Sequence, residues 1–338
     1  MESPHSPTIA VVVPNKDDRK CLSKCLDSII HQSVLPDQIV YVDDDSIDDS
    51  ICIAEDKLRN FGNSVIIKNS SCLGCMGSLN EGLKHVNTDY VLFLSSNDYL
   101  LSGIIKHAKS CIADVGTPGL FSAMVYEVDE AGGNAHLYPT PIVAIKDTYL
   151  PPEKCIQLAE RVGSWFHGTT IMFHRKALQG IGGFDISLKG LADLQAALLI
   201  ASLKGAVFSP EPHGVMRIHG DGCLSTSMQN LTHLENRIVK IEDSGQALSP
   251  RLFTDKFIKR FRRRLQFSAL RTLKDGSQIS YPSSWHGTDY QLLKTIHFKF
   301  QNYRKTRLTL EFLVLRPFDL IPTIWYRLIL GLWIRYGK

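Results

Sequence analysis

Three consecutive acids, Asp43, Asp44 and Asp45, directly follow the apolar sequence QIVYV. Packed carboxylates repel one another unless a cation or a hydrogen-bond donor neutralises them, so the triplet predicts a ligand-binding site. The alternative is a solvated loop whose last acid begins a helix, although Ser46 and Asp48 already supply that helix start. A phosphoacceptor pocket of the receiver-domain type is disfavoured, because a complete strand–helix unit precedes the triplet.

A second polar group, SSND at 95–98, interrupts an apolar stretch. Asp98 is its one carboxylate, whereas Asn97 can offer only a neutral carbonyl oxygen to a hard cation. Asp193 stands in the first turn of a predicted helix, where the helix dipole favours its ionised form; the alternative is that it merely completes that turn. His219, in the sequence RIHGDG, is either a loop histidine or part of a site.

The elements that must position these residues alternate along the first 100 positions. Short β-branched runs predict strands, and the segments between them have helical periodicity or helix-start residues. The predicted strands are 8–13, 38–42, 64–68 and 90–94, and the predicted helices are 19–32, 46–61 and 75–86. This alternation predicts an α/β fold with a parallel, doubly wound sheet. Ligands bind such sheets at the carboxyl ends of the strands, where both polar groups lie.

The pattern is looser beyond residue 115. It predicts a strand and turn at 120–133, a strand leading into a helix at 169–178, an amphipathic helix at 192–205 and a strand entering a loop at 212–225. Trp165, between these elements, is either a core residue or part of a binding platform.

The charge of the chain is divided unevenly. Residues 251–338 contain 18 Lys and Arg against 5 Asp and Glu, whereas the preceding residues contain 20 against 29. We therefore predict two domains, 1–235 and 236–338, the second basic and mostly helical. The last segment, 317–338, has the aromatic and Arg residues typical of contact with an anionic membrane surface, but Arg327 leaves its apolar run too short to span a membrane. Nucleic acid is not expected as a partner, because no base-reading module is present.

The cysteines and the N-terminus bear on the compartment. The 8 cysteines are scattered, and the first residues show no basic segment followed by a long apolar core. These features predict reduced thiols and no secretory signal, hence a cytoplasmic protein that is peripheral on the inner face of the membrane. Cys72 and Cys75 form a CxxC pair, but no second pair at zinc spacing accompanies them.

Residues 8–230 as a whole resemble the inverting family-2 glycosyltransferases of the GT-A (nucleotide-diphospho-sugar transferase) fold. The resemblance rests on blocks that follow one another as in that family: VVVPNKDDRKCLSKCLDSIIHQ, PDQIVYVDDDSIDDS, LGCMGSLNEGLKH, YVLFLSSNDYL, FHRKALQGIGGFD and VMRIHGDGCLS. It implies a GT-A fold with a mainly parallel, doubly wound sheet, which here carries a basic helical C-terminal extension.

The resemblance also implies where the nucleotide lies. Pro14, Asn15, Asp43 and Asp44 would line it, and Asp44 corresponds to the family's acid that contacts the uracil of a UDP-sugar. The family's opening loop often has an aromatic residue that stacks on uracil, and this chain has Lys16 there.

The same comparison implies a metal site and a base. Asn97 and Asp98 lie at the family's D-x-D block, Asp98 and His219 would face the diphosphate and an Mg²⁺ or Mn²⁺ ion, and Asp193 would be the general base. Ser95 and Asn97 occupy the two Asp positions of D-x-D. The metal is therefore expected to bind weakly or to be dispensable.

These expectations define an enzyme and one rival. The enzyme is a hexosyltransferase-like glycosyltransferase that moves a sugar from a nucleotide-sugar donor, UDP-linked, to a glycan or lipid-linked acceptor with inversion. The rival is a non-catalytic nucleotide-sugar-binding or scaffold protein at a membrane surface, in which the site at 95–98 has degenerated.

Overall fold

The structure, a computed structural model, describes most of the chain up to residue 300. It covers residues 6–129, 135–138, 140–218, 227–228, 230–272 and 288–300, together with the single positions 303, 306, 310, 311, 313, 314 and 328. His219 lies outside the described residues, and so does the tail at 317–338 apart from Leu328.

The described strands join in one sheet. In chain order they are β1 (Ile9–Asn15), β2 (Gln38–Asp43), β3 (Ser64–Lys68), β4 (Tyr90–Phe93), β5 (Tyr99–Leu100), β6 (Leu120–Asp129), β7 (His136–Leu137), β8 (Thr148–Leu150), β9 (Met172–His174) and β10 (Ala206–Ile218). Their order across the sheet is β3-β2-β1-β4-β9-β6-β10-β5, with β7 beside β6 and β8 beside β10.

Helices pack around this sheet. The described α-helices are α1 (Arg19–Ile30), α2 (Ser50–Leu58), α3 (Gly74–Lys84), α4 (Ile104–Val115), α5 (Pro152–Val162), α6 (Arg175–Gly180), α7 (Ala192–Lys204), α8 (Leu231–Leu248), α9 (Asp255–Thr272) and α10 (Thr288–Lys299). Two 3-10 helices, Gly168–Thr170 and Ile186–Leu191, lie between them.

The four strands predicted near the N-terminus form the parallel half of the sheet. β1 pairs in parallel with β2 and β4, and β2 pairs in parallel with β3. Alternate residues of β1 belong to different hydrophobic clusters, with Ala10 and Val12 in one and Ile9 and Val11 in the other. Both faces of β1 are therefore covered, which explains why its sequence is a continuous β-branched run.

The remainder of the sheet is mixed, so the predicted parallel character describes only part of it. β9 runs antiparallel to both β4 and β6, and β5 runs antiparallel to β10, whereas β6 and β10 form a long parallel pair. Only residues 94–98 separate β4 from β5. β5 pairs with β10 rather than with β4, so this short connection carries the chain to the far end of the sheet and ends at Asp98.

Helix α7 is not amphipathic as its sequence suggested. Ala192 and residues 195–202 are buried, because α5, α8 and β6 surround the helix. The stretch Ile186–Lys204 is long and apolar enough for a membrane span, with a mean hydropathy of 1.4, but 67% of that window is buried inside the fold. Lys189, with φ 51°, also interrupts its helical backbone. α7 is a core helix that carries Asp193 in its first turn.

The basic helix α9 docks on the C-terminal end of α5. Arg264 donates hydrogen bonds to the carbonyl oxygens of Ala159, Glu160 and Arg161, and Lys256 forms an ion pair with Glu160. Cations are favourable beside the unsatisfied carbonyl groups at the end of a helix. Part of the basic charge beyond residue 251 is therefore used inside the fold.

Apolar residues of α9 join the main core. Phe257, Phe261 and Leu265 are buried in the hydrophobic cluster that also holds α7. The division predicted at residue 235 falls within α8 (Leu231–Leu248), which contacts both α7 and α9. The two-domain organisation stays a prediction.

Candidate functional site

The carboxyl ends of β1 and β2 bring Asn15 and Asp43 side by side, one position beyond Pro14 on β1. Asn15 is 3% exposed and Asp43 is 1% exposed. Asp43 accepts hydrogen bonds from the main-chain N–H of Ser46 at 3.0 Å and from the Tyr41 hydroxyl at 3.3 Å. Asn15 donates its amide N–H to the Ser46 hydroxyl at 3.2 Å, while its Oδ1 atom is buried and has no hydrogen-bond partner among the described residues. These hydrogen bonds fix the edge of the sheet at β1 and β2, and the Oδ1 atom of Asn15 is a buried acceptor that a ligand could use.

Asp44 is buried and bonds to its own chain. Its Oδ1 accepts from the main-chain N–H of Leu73 at 2.7 Å and from the Asn69 amide at 2.9 Å. Its Oδ2 accepts from the main-chain N–H of Gly74 at 2.9 Å and from the Cys72 thiol at 3.2 Å. The carboxylate thus ties the end of β2 to the N-terminus of α3, a function that the sequence did not predict.

This set of donors controls the protonation of Asp44. Burial alone would raise the pKa of Asp44, but the hydrogen bonds from Leu73, Asn69 and Cys72 outweigh it and hold the pKa below its usual value. An N-terminal helix end also favours a negative charge. Asp44 is therefore a permanently ionised residue at neutral pH, and its predicted contact with uracil stays a prediction.

Asp98 lies at the turn between β4 and β5 and is 6% exposed. Its Oδ2 accepts a hydrogen bond from the Thr169 hydroxyl at 2.8 Å, and its Oδ1 accepts one from the main-chain N–H of Arg217 at 3.0 Å. Asn97 is beside it at 8% exposure. The Arg217 guanidinium carbon is 5.5 Å from the centre of the Tyr99 ring, so a cation also borders this turn. The structure thus joins β5, β10 and the Thr169 loop around Asp98.

The 3-10 turn Gly168–Thr170 brings Asp98 and Asp193 into one region. Thr169 bonds to Asp98, and a Cβ atom placed on Gly168 would be 3.4 Å from Oδ2 of Asp193. The Thr170 hydroxyl anchors the turn by donating to the carbonyl oxygen of Ala123 on β6 at 2.5 Å. Two acids that are 95 positions apart in the chain therefore border the same short loop.

Asp193 is held by few donors. Its Oδ1 accepts from the main-chain N–H of Leu194 at 2.7 Å. Burial raises the pKa of Asp193, and the main-chain N–H groups of Leu194 and of Asp193 itself oppose that rise without cancelling it. The expected helix-dipole preference for the ionised form is thus outweighed by burial. A carboxylate with a raised pKa is better matched to accepting a proton near neutral pH.

His167 adjoins the same turn and was not predicted as a site residue. It is 7% exposed, its Nδ1 atom has no hydrogen-bond partner among the described residues, and its ring meets the Tyr138 ring edge-on with 4.6 Å between centres. Burial lowers the pKa of His167 to about 4, so the ring is neutral at physiological pH. Trp165, two positions earlier, is 1% exposed and belongs to the core rather than to a platform.

Comparison with known proteins gives this arrangement a family. Residues 10–114 match the model of glycosyl transferase family 2. An uncharacterised glycosyltransferase of Rickettsia typhi is 22% identical over 234 residues, which cover 69% of this chain and 71% of that protein. Residues 10–114, about a third of the chain, are thus similar to a family 2 glycosyltransferase domain.

Solved structures share the fold of this glycosyltransferase. The structure of S. aureus TarS 1-349 has a TM-score of 0.60 and 18% identity, and the match covers 98% of this chain and 92% of that one. The mannosyltransferase PcManGT from Pyrobaculum calidifontis, in complex with GDP-Man and Mn²⁺, has a TM-score of 0.58 and 16% identity, covering 99% and 88% of the two chains. TarS 1-349 has also been solved with UDP-GlcNAc. These likenesses show the GT-A fold.

The glycosyltransferase site can be tested for its fit to a metal ion. Both oxygens of Asp98 already accept hydrogen bonds, so a cation would have to share them with Thr169 and Arg217. Among the described residues, Asp98 belongs to neither group of three His, Cys, Asp or Glu side chains that could hold a metal. The described part of the chain therefore does not complete a metal site at Asp98, and His219 lies outside it.

One of the residues that hold this site, Asn69, could have been found from the sequence. Asn69 directly follows β3, so the rule that selected polar residues at the ends of the other strands applies to it as well. Thr169 has a weaker signal, since a Thr-Thr pair before a strand is ordinary. Its role follows only from the packing of the Gly168–Thr170 turn against Asp98.

Proposed function

We propose that this glycosyltransferase moves a sugar from a UDP-linked donor to a hydroxyl group of a glycan or lipid-linked acceptor, with inversion at the anomeric carbon. The proposal rests on the turn Gly168–Thr170, which bonds to Asp98 and borders Asp193. It thereby sets a candidate base next to the strand ends where the ligands of α/β sheets bind.

The nucleotide part of the donor would lie along Pro14, Asn15, Asp43 and Asp44. The buried Oδ1 atom of Asn15 supports this position, because it can accept a hydrogen bond from an N–H of the base. The role of Asp44 would be to hold the loop at Leu73 in the conformation that receives the base. The solved structures of the same fold include complexes with UDP-GlcNAc and with GDP-Man. Because the fold is found with both nucleotides, the choice of UDP is itself part of the proposal.

Asp193 would act as the general base. The acceptor hydroxyl oxygen attacks the anomeric carbon from the face opposite the diphosphate, and its proton passes to the Asp193 carboxylate. A new carbon–oxygen bond forms while the bond to the diphosphate breaks, and the electron pair of that bond leaves with the diphosphate. Arg217, whose main chain bonds to Asp98, would supply a positive charge close to the leaving group.

A divalent metal is not required by this scheme. Mg²⁺ or Mn²⁺, when bound, would neutralise the diphosphate, and Asp98 with Asn97 and His219 would hold it. Because the described residues offer one carboxylate whose oxygens are already engaged, we expect the ion to bind weakly or to be dispensable.

Purified protein incubated with UDP- and GDP-sugars tests the proposal. Release of UDP, with or without an added acceptor, is the expected result, and the preferred donor should raise the melting temperature because it binds only the folded state. Donors that raise the melting temperature without any UDP release would favour the rival, a non-catalytic nucleotide-sugar-binding or scaffold protein. The neutral Asn97 in the D-x-D block is the observation that keeps this rival in view.

Contact of the C-terminal tail with an anionic membrane surface is also proposed, on the inner face of the membrane. A test by truncation must spare α9, because Phe257 and Phe261 belong to the core. The full chain and a chain ending at Arg316 should be compared on anionic and on neutral vesicles. Weaker sedimentation of the shorter chain with anionic vesicles alone is expected, and equal sedimentation of both chains would place the contact elsewhere.

A further inference from the structure

A group of side chains of metal-ligating types lies where α4, the segment before β8 and strand β10 meet. We call it the His107 cluster, and it consists of His107, Cys111, Asp147 and His213. His107 and Cys111 are at i and i+4 on α4, so they share one helix face. Asp147 comes from the segment just before β8, and His213 comes from β10. Three separate parts of the chain therefore meet here.

The distances in the cluster match those between ligands of one zinc ion. The Nε2 atom of His107 is 3.2 Å from Oδ1 of Asp147 and 3.6 Å from Sγ of Cys111. Zinc binds N, O and S ligands at about 2.0–2.3 Å, so the edges of its tetrahedron are roughly 3.3–3.8 Å. The ligand atoms of His107, Cys111 and Asp147 all lie within 4.8 Å of one another. A small rearrangement would place all three around one ion.

His213 provides an independent indication of a ligand. It is 7% exposed, and its Nε2 atom has no hydrogen-bond partner among the described residues. Its ring centre is 4.7 Å from that of His107, and His107, Glu211 and His213 can each offer a ligand atom within 4.8 Å of the other two. Oε2 of Glu211 is 3.6 Å from this nitrogen, which is beyond hydrogen-bond distance, so a metal ion could still satisfy the buried ring.

The cluster is separate from the proposed glycosyltransferase site and is open to solvent. His213 precedes Arg217, the main-chain partner of Asp98, by four residues of strand, or about 13 Å. A cleft of about 200 Å³ is lined by His107, Cys111 and Asp147. An ion could therefore enter without passing through the donor site.

We propose that the His107 cluster binds one zinc ion, with His107, Cys111 and Asp147 as ligands and His213 as the fourth. The mixture of imidazole, thiolate and carboxylate is typical of Zn²⁺, whereas Mg²⁺ and Ca²⁺ prefer oxygen ligands alone. The Ser209 hydroxyl, 3.2 Å from Nε2 of His107, would give up that contact, because Nε2 is the atom that would bind the ion. Such an ion would fasten α4 and the segment before β8 to the long strand β10, and Cys111 would give up its thiol proton on binding.

Titration of the metal-free full chain with Co²⁺ and Zn²⁺ tests the proposal, because a thiolate ligand to Co²⁺ gives a sulfur-to-metal charge-transfer band. One equivalent of Co²⁺ should produce the band, and Zn²⁺ should displace it. Cys111→Ser should abolish the band, and His107→Gln should weaken Zn²⁺ binding at least about tenfold. Cys52→Ser and His31→Gln, which change exposed residues outside the cluster, should bind like the unmodified chain.

Stability provides a readout that does not depend on absorption. Zn²⁺ should raise the melting temperature of the unmodified chain and of Cys52→Ser, but not that of Cys111→Ser. A charge-transfer band that persists in Cys111→Ser, or one lost instead in Cys75→Ser, would overturn the proposal by placing the metal elsewhere. The absence of any stoichiometric binding would also overturn it and leave His107 and Asp147 as an ordinary ion pair.

Discussion

Asp44 and Asp193 both belong to the proposed site, yet their surroundings shift their pKa values in opposite directions. Asp44 accepts hydrogen bonds from Asn69, Leu73, Gly74 and Cys72, and these donors lower its pKa in spite of burial. Asp193 has main-chain donors alone among the described contacts, and burial raises its pKa. The two carboxylates thus differ in the number of donors that offset burial.

The contrast indicates a division of labour. A carboxylate fixed in its ionised form can hold a loop but cannot exchange a proton near neutral pH, whereas one whose pKa is raised can do so. We therefore propose that Asp44 holds the nucleotide-binding edge of the sheet in place and that Asp193 accepts the proton. Substitutions that remove the charge while keeping the shape test that assignment.

The largest effect is expected for Asp193→Asn. The amide can still accept the hydrogen bond from Leu194 but cannot take a proton, so transfer should fall by a factor of about 100 or more while donor affinity is kept. Steady-state transfer and donor titration measure the two quantities. Asp185→Asn is the matched control, because Asp185 is an exposed acid that caps the adjacent 3-10 helix. Transfer near the unmodified rate would mean that Asp193 only completes the first turn of α7.

A smaller effect, on metal affinity, is expected at the end of β4. Asn97→Asp restores a carboxylate beside Asp98, and one added charged ligand should tighten Mn²⁺ binding about 10- to 100-fold. Asp98→Ala should remove any metal dependence. Asn87→Asp makes the same change at the opposite end of β4 and should leave metal affinity unaltered. If Asn97→Asp also leaves metal affinity unaltered and Asp98→Ala does not change the metal dependence, the metal does not bind at this turn.

Asp44→Asn should weaken UDP binding by about tenfold. Both carboxylate oxygens accept a main-chain N–H, from Leu73 and from Gly74, and an amide offers only one acceptor oxygen. One N–H would then face the amide nitrogen and displace the loop beside the base. Asp45→Asn is the control, since Asp45 is exposed and has φ 63°, a backbone conformation that Asn tolerates. Calorimetric titration of UDP decides the outcome, and equal affinity for both variants would remove Asp44 from the nucleotide site.

The sequence allowed the parallel half of the fold to be predicted, because buried strands leave a local signal. The predicted bounds of β3 are the observed ones, and those of β1, β2 and β4 differ from the observed bounds by one or two residues. The antiparallel entry of β9 between β4 and β6 has no such signal, since it depends on how distant segments pack. The burial of α7 on every side was missed for the same reason.

The site was predicted less completely than the fold. The acids were recognisable because charge clusters at strand ends need a partner, but the partners themselves were not. The donors to Asp44 come from 25 to 30 positions away, and Thr169 is 71 positions from Asp98. Only the folded structure shows that the Asp44 carboxylate already accepts hydrogen bonds from these distant residues.

The smallest expected effect, and the most direct test of the contrast, is on stability, where the two Asp-to-Asn substitutions should have opposite signs. The lowered pKa of Asp44 stabilises the fold above the unfolded value, about 3.9, and this contribution is lost as the pH falls through the folded pKa. Asp44→Asn should therefore lower the free energy of unfolding by about 1–3 kcal/mol at pH 7.

The raised pKa of Asp193 has the reverse consequence, because its contribution to stability is fully present below about pH 3.9 and is lost as the pH rises through the folded pKa. Asp193→Asn should accordingly raise the melting temperature at neutral pH, and that gain should shrink as the pH is lowered toward 4. Thermal melts of both variants and the unmodified chain at several pH values measure these differences, and two shifts of the same sign would show that donor count does not distinguish the two acids.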